Sequence, residues 1–219
     1  MKKTIFVWAL SFWLICGTWA AAKDAAWKTA LQQQFQSAYQ FARLDSKFVK
    51  GSGNFYRIRA NGTPLKLQMN GLEFYEDDLA NPANVISNGD LLPVKGLKGF
   101  LNAVSTNHQP LEKGEVVYLT RVEIKDDALV LHLISRELFD ISVDTGVVQK
   151  HLLAAVKFDY GKEAMPTKKF GDLKAEVDKV VDVAGAAESK AKSEPEVDQR
   201  ANDLWRAVDQ GTRRRHQTL

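Results

Sequence analysis

The single cysteine of this 219-residue chain, Cys16, lies inside an apolar N-terminal leader, and that position decides how the rest can be held together. Lys2 and Lys3 form a basic head, Ile5 to Ile15 is apolar apart from Ser11, and Gly17, Thr18 and Ala20 to Ala22 supply an A-x-A cleavage site. The pattern predicts an export signal over residues 1–22. An uncleaved anchor is the competing reading, because Ile5 to Ala22 reaches the lower edge of a bilayer span. Ile15 before Cys16 argues against lipidation, which follows a small residue. With the leader removed no thiol remains, so disulfides are excluded and the exported chain must rely on an ordinary hydrophobic core. The expected location is periplasmic or secreted, and the processed chain is not expected to be an integral membrane protein.

Composition can supply such a core: 45% of residues are hydrophobic and 26% charged. The formal charge of +3 falls to +1 when Lys2 and Lys3 leave with a leader that contains no acid. Near neutrality gives no global reason to expect nucleic-acid binding, which rests on many phosphate contacts.

Residues Asp24 to Leu44 read as an amphipathic helix, with Trp27, Leu31, Phe35, Ala38, Tyr39 and Ala42 on one face and glutamines on the other. Phe55 to Ala60 and Pro64 to Asn70 then read as strands joined by Asn61-Gly62, a strong hairpin signal. A two-residue turn there places Arg57 across from Lys66 and gathers Arg57, Arg59 and Lys66 on one basic face, a candidate binding surface for an anionic group. The alternative is a solvated sheet face.

A second hairpin pairs Val116 to Ile124 with Leu129 to Ser135 around Lys125-Asp126-Asp127-Ala128, setting Ile124 against Leu129, Thr120 against Leu133 and Leu119 against Ile134. A third strand, Leu152 to Tyr160, completes a meander, with Glu137 to Gln149 as its longer connection. The run Gly114-Glu115-Val116-Val117-Tyr118-Leu119-Thr120-Arg121-Val122-Glu123-Ile124-Lys125-Asp126-Asp127, with the apolar strand that follows, resembles a hairpin of exported bacterial proteins of unknown function. The likeness covers residues 55–184 at most. It implies a recurrent envelope module and carries over no functional residue.

Leu72 to Tyr75 and Val85 to Ser87 suggest short strands, and Leu97 to Val104 a helical turn or two. Phe170, Leu173, Val177, Val180, Val181 and Ala184 line one face of a predicted helix ending near Gly185. Residues 185–196 are a polar linker rich in Ala, Lys, Glu and Ser. Residues 197–219 follow as a short amphipathic helix and a basic tail. Leu204 and Trp205 form an apolar docking stripe, and Arg213, Arg214 and Arg215 a cationic cluster suited to an anionic surface.

The chemistry of common enzymes is weakly represented. The four histidines, His108, His132, His151 and His216, lack the close spacing of a zinc site. Glu76-Asp77-Asp78 and Asp126-Asp127 lack an ordered calcium loop. No G-x-S-x-G turn and no phosphate-binding glycine loop is present. Neither cofactor nor metal is expected.

The fold expected is α+β: a small antiparallel sheet or partly open barrel over residues 23–184, packed by an N-terminal and a C-terminal helix. The function expected is a non-catalytic binding or scaffolding module of the bacterial cell envelope, its partner an unknown envelope protein or an anionic surface. The alternatives are an envelope-polymer hydrolase that uses two carboxylates not identifiable in the sequence, and a binder of a small apolar ligand.

Overall fold

The computed structural model describes residues 26–50, 52–76, 84–92, 108–143, 146–184 and 206. Within them the fold is α+β and mostly sheet. Residues 26–38 form helix α1, followed by β1 (Arg43–Val49), β2 (Gly53–Ala60), β3 (Pro64–Leu67), β4 (Leu72–Tyr75), β5 (Asn84–Ser87) and β6 (Asp90–Leu92). Next come β7 (His108–Leu111), β8 (Val116–Ile124), β9 (Ala128–Ser135), β10 (Phe139–Val143), β11 (Gly146–Lys150) and β12 (Leu153–Asp159). A 3-10 turn, Met165–Thr167, leads to α2 (Phe170–Val177) and β13 (Val181–Val183).

Nine strands form one sheet in the order β13-β3-β8-β9-β12-β4-β7, with β5 also on β12 and β6 on β5. The sheet curls as a half-barrel and stays open, ending at β13 and β7 among the described residues. Every pairing is antiparallel except β12 with β5. Strand alternation gives the centre two apolar faces. Leu119, Val122, Ile124, Leu129, Leu131, Leu133, Val156 and Phe158 share a buried cluster with Leu31, Phe35 and Tyr39 near α1 and with Leu173 and Val177 of α2. On the other face Tyr118, Ile134 and Leu153, with Ala42, are covered by Leu44, Tyr56 and Ile58 of β1 and β2. Those two strands form a separate hairpin, as do β10 and β11.

The β8–β9 hairpin forms around Asp126-Asp127, where Lys125 N donates to Ala128 O at 2.8 Å and Ile124 faces Leu129. The register expected beyond Thr120 is corrected by a bulge: Leu119 now faces Leu133, and Tyr118 faces Ile134. Thr120 accommodates the extra residue, with Oγ1 donating to His132 O at 3.0 Å. The bulge turns Leu119 and Val117 onto the face already occupied by Val122 and Ile124.

The Asn61-Gly62 hairpin does not form. β2 pairs with β1, whereas β3 pairs with β8 and β13. Residues 61–63 instead cross the α1–β1 connection, where Thr63 N donates to Gln40 O at 2.8 Å and Gln40 N to Thr63 Oγ1 at 2.9 Å. These contacts end α1 at Ala38 rather than Leu44 and free residues 43–49 to become a strand. The second predicted helix is likewise shorter, since the β-branched run from Val180 passes into β13 and pairs with β3. Glu137 to Gln149 folds mostly as the β10–β11 hairpin. Leu97 to Val104, the leader, the linker and the C-terminal stripe lie outside the described residues.

Candidate functional site

The β1–β2 hairpin lies on the outer face of the sheet. Leu44, Tyr56 and Ile58 point down into the small apolar cluster, so the alternate residues Asp45, Lys47, Arg57 and Arg59 face away. Arg57 Nη2 donates to Asp45 Oδ2 at 2.8 Å, and Arg59 Nη1 stands 3.8 Å from Asp45 Oδ1 with its side chain 72% exposed. Over residues 43–60 the cations are Arg43, Lys47, Lys50, Arg57 and Arg59, and the only acid is Asp45. Five positive charges against one negative give this hairpin +4, more than the +3 of the entire chain. The basic character of the protein is therefore concentrated here, and the remaining sequence is slightly acidic.

Near the hairpin tip Phe48 is 69% exposed, the most exposed of the large apolar side chains among the described residues. The tip itself is covered on the face that Phe55 shares with Lys47. Lys150, buried at the end of β11, donates through Nζ to the Ser52 carbonyl and to Glu76 Oε2 at 3.3 Å, and lies 4.8 Å from the Phe55 ring centre. At the base, Ala42 N donates to Leu119 O at 2.8 Å. The hairpin is thus held at both ends, with Arg57 and Arg59 on the part of this face nearer the base.

Of the residues singled out from sequence, Arg57 and Arg59 share this face. Lys66 does not: it sits on β3 opposite Asp182 and Val116, in the other sheet. Leu204, Trp205, Arg213, Arg214 and Arg215 lie outside the described residues. Sequence reasoning misses Arg43, which falls in the predicted helix, and Lys47, Phe48 and Lys50, which fall between that helix and the first predicted strand. The signal was the uneven charge of residues 43–59, legible once those residues are counted together.

A cleft of about 360 Å³ opens between the end of β12, the β5–β6 turn and α2, with Ile86, Phe158 and Val180 at its floor. Its polar groups hold one another. Tyr160 Oη donates to Glu176 Oε2 at 2.8 Å, Lys168 Nζ donates to Glu176 Oε1 at 3.1 Å, and Lys168 lies 4.5 Å from the Tyr160 ring centre. Burial and the bond to Glu176 push the Tyr160 phenol far above its ordinary range, so it keeps its proton. The same motif recurs beside it, where Tyr39 Oη donates to Asp178 Oδ1 at 2.8 Å and Lys174 Nζ donates to Asp178 Oδ2 at 2.6 Å. Two tyrosine–carboxylate–lysine clamps therefore fasten α2 and the turn after it.

Under the hairpin a smaller cleft of about 230 Å³ is bordered by Arg121 and His132. Arg121 Nη2 lies 3.0 Å from His132 Nε2, and Glu123 Oε2 lies 3.5 Å from the same nitrogen. His151 is fully buried, with Nδ1 3.0 Å from Ser135 O. Of the two carboxylate clusters, Glu76 pairs with Lys150, Asp126 with Lys28 and Asp127 with Lys157. Lys157 holds the Asp127 carboxyl below its usual range. Among the described residues no group of three or more His, Cys, Asp or Glu is arranged to hold a metal ion. No described helix is long and apolar enough to cross a membrane. Comparison with family models, curated proteins and solved structures finds no match to this chain.

Proposed function

We propose that this chain is an exported, non-catalytic binding module of the bacterial cell envelope, akin to the exported proteins that its Gly114 to Asp127 run resembles. In this reading the sheet serves as a partly open barrel, with α1 and α2 packed on it as a stiff frame. The β1–β2 hairpin is the working surface. The observation that carries the reading is the concentration of +4 on residues 43–60 of a chain whose total is +3. Such an asymmetry concentrates the field on one patch and attracts an anionic partner. The leader over residues 1–22 supplies the route out of the cytoplasm.

Fractionation of the native host tests this. The chain is expected in the envelope fraction, shortened by the leader and released by raised salt, because contacts between exposed charges are screened. Recovery of the full-length precursor from cytosol would sink the proposal.

A further inference from the structure

We infer that the cleft beneath the β1–β2 hairpin binds a small organic acid, a carboxylate on one compact apolar ring, and that Arg121 holds its charge; this deepens the binding-module reading and rests on it. The hairpin roofs part of the outer face of the sheet, with Leu44 and Tyr56 above and Leu153 below, and leaves a cleft of about 230 Å³. A dry cavity of roughly 150 Å³ takes benzene, so one ring and its carboxylate fit. The bulge at Thr120 sets Arg121 directly across from His132 at the border of this cleft. A guanidinium only donates, so His132 Nε2 accepts from Arg121 Nη2 at 3.0 Å and the ring steadies the longer side chain. Among the described residues no carboxylate forms an ion pair with Arg121, whereas Arg57 and Arg59 share Asp45. Arg121 therefore keeps the other N–H groups of its fork for a carboxylate, whose two oxygens match them. Glu123 Oε2, 3.5 Å from His132 Nε2, opposes an anion at the mouth, and the +4 of residues 43–60 outweighs it.

The test is titration of the isotope-labelled chain, as recovered from the envelope, with benzoate, benzyl alcohol and acetate, followed through its amide chemical shifts. Benzoate should move Leu44, Tyr56, Arg121, His132 and Leu153 along one saturating curve. Benzyl alcohol lacks the charge and acetate the ring, so each should bind roughly tenfold more weakly. Arg121→Gln should weaken benzoate roughly tenfold, and Arg121→Lys by less, since it keeps the charge without the fork. Glu123→Gln should strengthen it about threefold by removing the opposing charge. These substitutions change side chains that are not buried, and unchanged thermal unfolding verifies their folding. Equal binding of benzyl alcohol or of acetate overturns the inference, as does undiminished binding of benzoate by Arg121→Gln. Shifts confined to Arg57 and Arg59 mean pairing with surface cations alone and also overturn it. If the chain resides in the envelope yet benzoate moves none of these amides, the ligand is wrong while the module reading survives. A cytosolic precursor removes the module reading itself.

Discussion

The Tyr160 hydroxyl donates to one oxygen of Glu176 at 2.8 Å while Lys168 holds the other at 3.1 Å. Helix α2 is short, and beside the burial of Leu173 and Val177 this clamp helps to fix it at the end of β12. Tyr160→Phe is expected to cost about 1–2 kcal/mol in urea unfolding, the lower part of the range for a bond to a charged group because the pair is partly exposed. The buried tyrosines set an alkaline limit. Tyr39, Tyr75 and Tyr160 are all raised chiefly by burial, so the stability they contribute is complete below about pH 10 and is lost as pH rises beyond it. Phenolate absorbance from these three should appear together with unfolding. An early titration of all five tyrosines in the folded chain would contradict the clamps.

Acid acts through His151. Burial lowers its pKa to about 4, and since the Ser135 carbonyl can only accept, Nδ1 carries the proton of a neutral ring. The unfolded chain takes up a proton near pH 6.5, whereas the folded chain resists until about pH 4. Stability from this group is therefore full above pH 6.5 and falls as the pH drops through that window, by roughly 3 kcal/mol in total. Urea midpoints at successive pH values should show the decline, and His151→Gln should flatten it. A wild-type midpoint that stays level across the window would refute the assignment.

Gly62 and Gly89 are both required, for different reasons. A β-carbon on Gly62 would stand 2.5 Å from Gln40 O and 2.6 Å from Ala42 N, both backbone atoms that cannot step aside. Gly89 has open space around it but a φ of +87°. Gly62→Ala should cost about 1–3 kcal/mol by overpacking and disturb the α1–β1 connection, while Gly89→Ala should cost about 1–2 kcal/mol through local strain. Thermal unfolding compares them, and amide chemical shifts at residues 40–42 should move only in the first.

Lys150 carries the hairpin tip. Lys150→Met removes the donor to Ser52 O and leaves Glu76 without this partner. Amide exchange in β1 and β2 should accelerate roughly a hundredfold, equivalent to about 3 kcal/mol of local opening, with β8 and β9 little changed. Uniform acceleration across the sheet would mean that the hairpin does not open separately.

Two of the three Asn-Gly pairs show what was legible in the sequence and what was not. Asn88-Gly89 forms the tight β5–β6 turn, with Asn88 at φ 53°, and its flanking residues pair Ser87 with Asp90. Asn61-Gly62 carries the same local signal but is used for close passage of two backbones, a demand set by residues 40–42 and invisible locally. The apolar faces were readable in most positions: Leu31, Phe35, Leu173, Val177, Val180 and Val181 are buried, whereas Ala38 at the end of α1 is exposed. Their periodicity did not reveal that Val181 belongs to a strand, because pairing with β3 decides it. The bulge at Thr120 escaped for a similar reason, since local alternation favours an unbroken register. The basic hairpin was half visible, through Arg57 and Arg59, and the wrong strand partner supplied Lys66 in place of Lys47.

Phe35 meets Phe170 edge-on with ring centres 5.0 Å apart, so the first helix closes on one that emerges only after every strand of the meander. β5 likewise waits for β12, its parallel neighbour far along the chain. Closure entropy must be met before either contact returns anything. While the distal third is still on the ribosome, the contacts of α1 with Phe170 and of β5 with β12 cannot form, although local hairpins such as β8–β9 can.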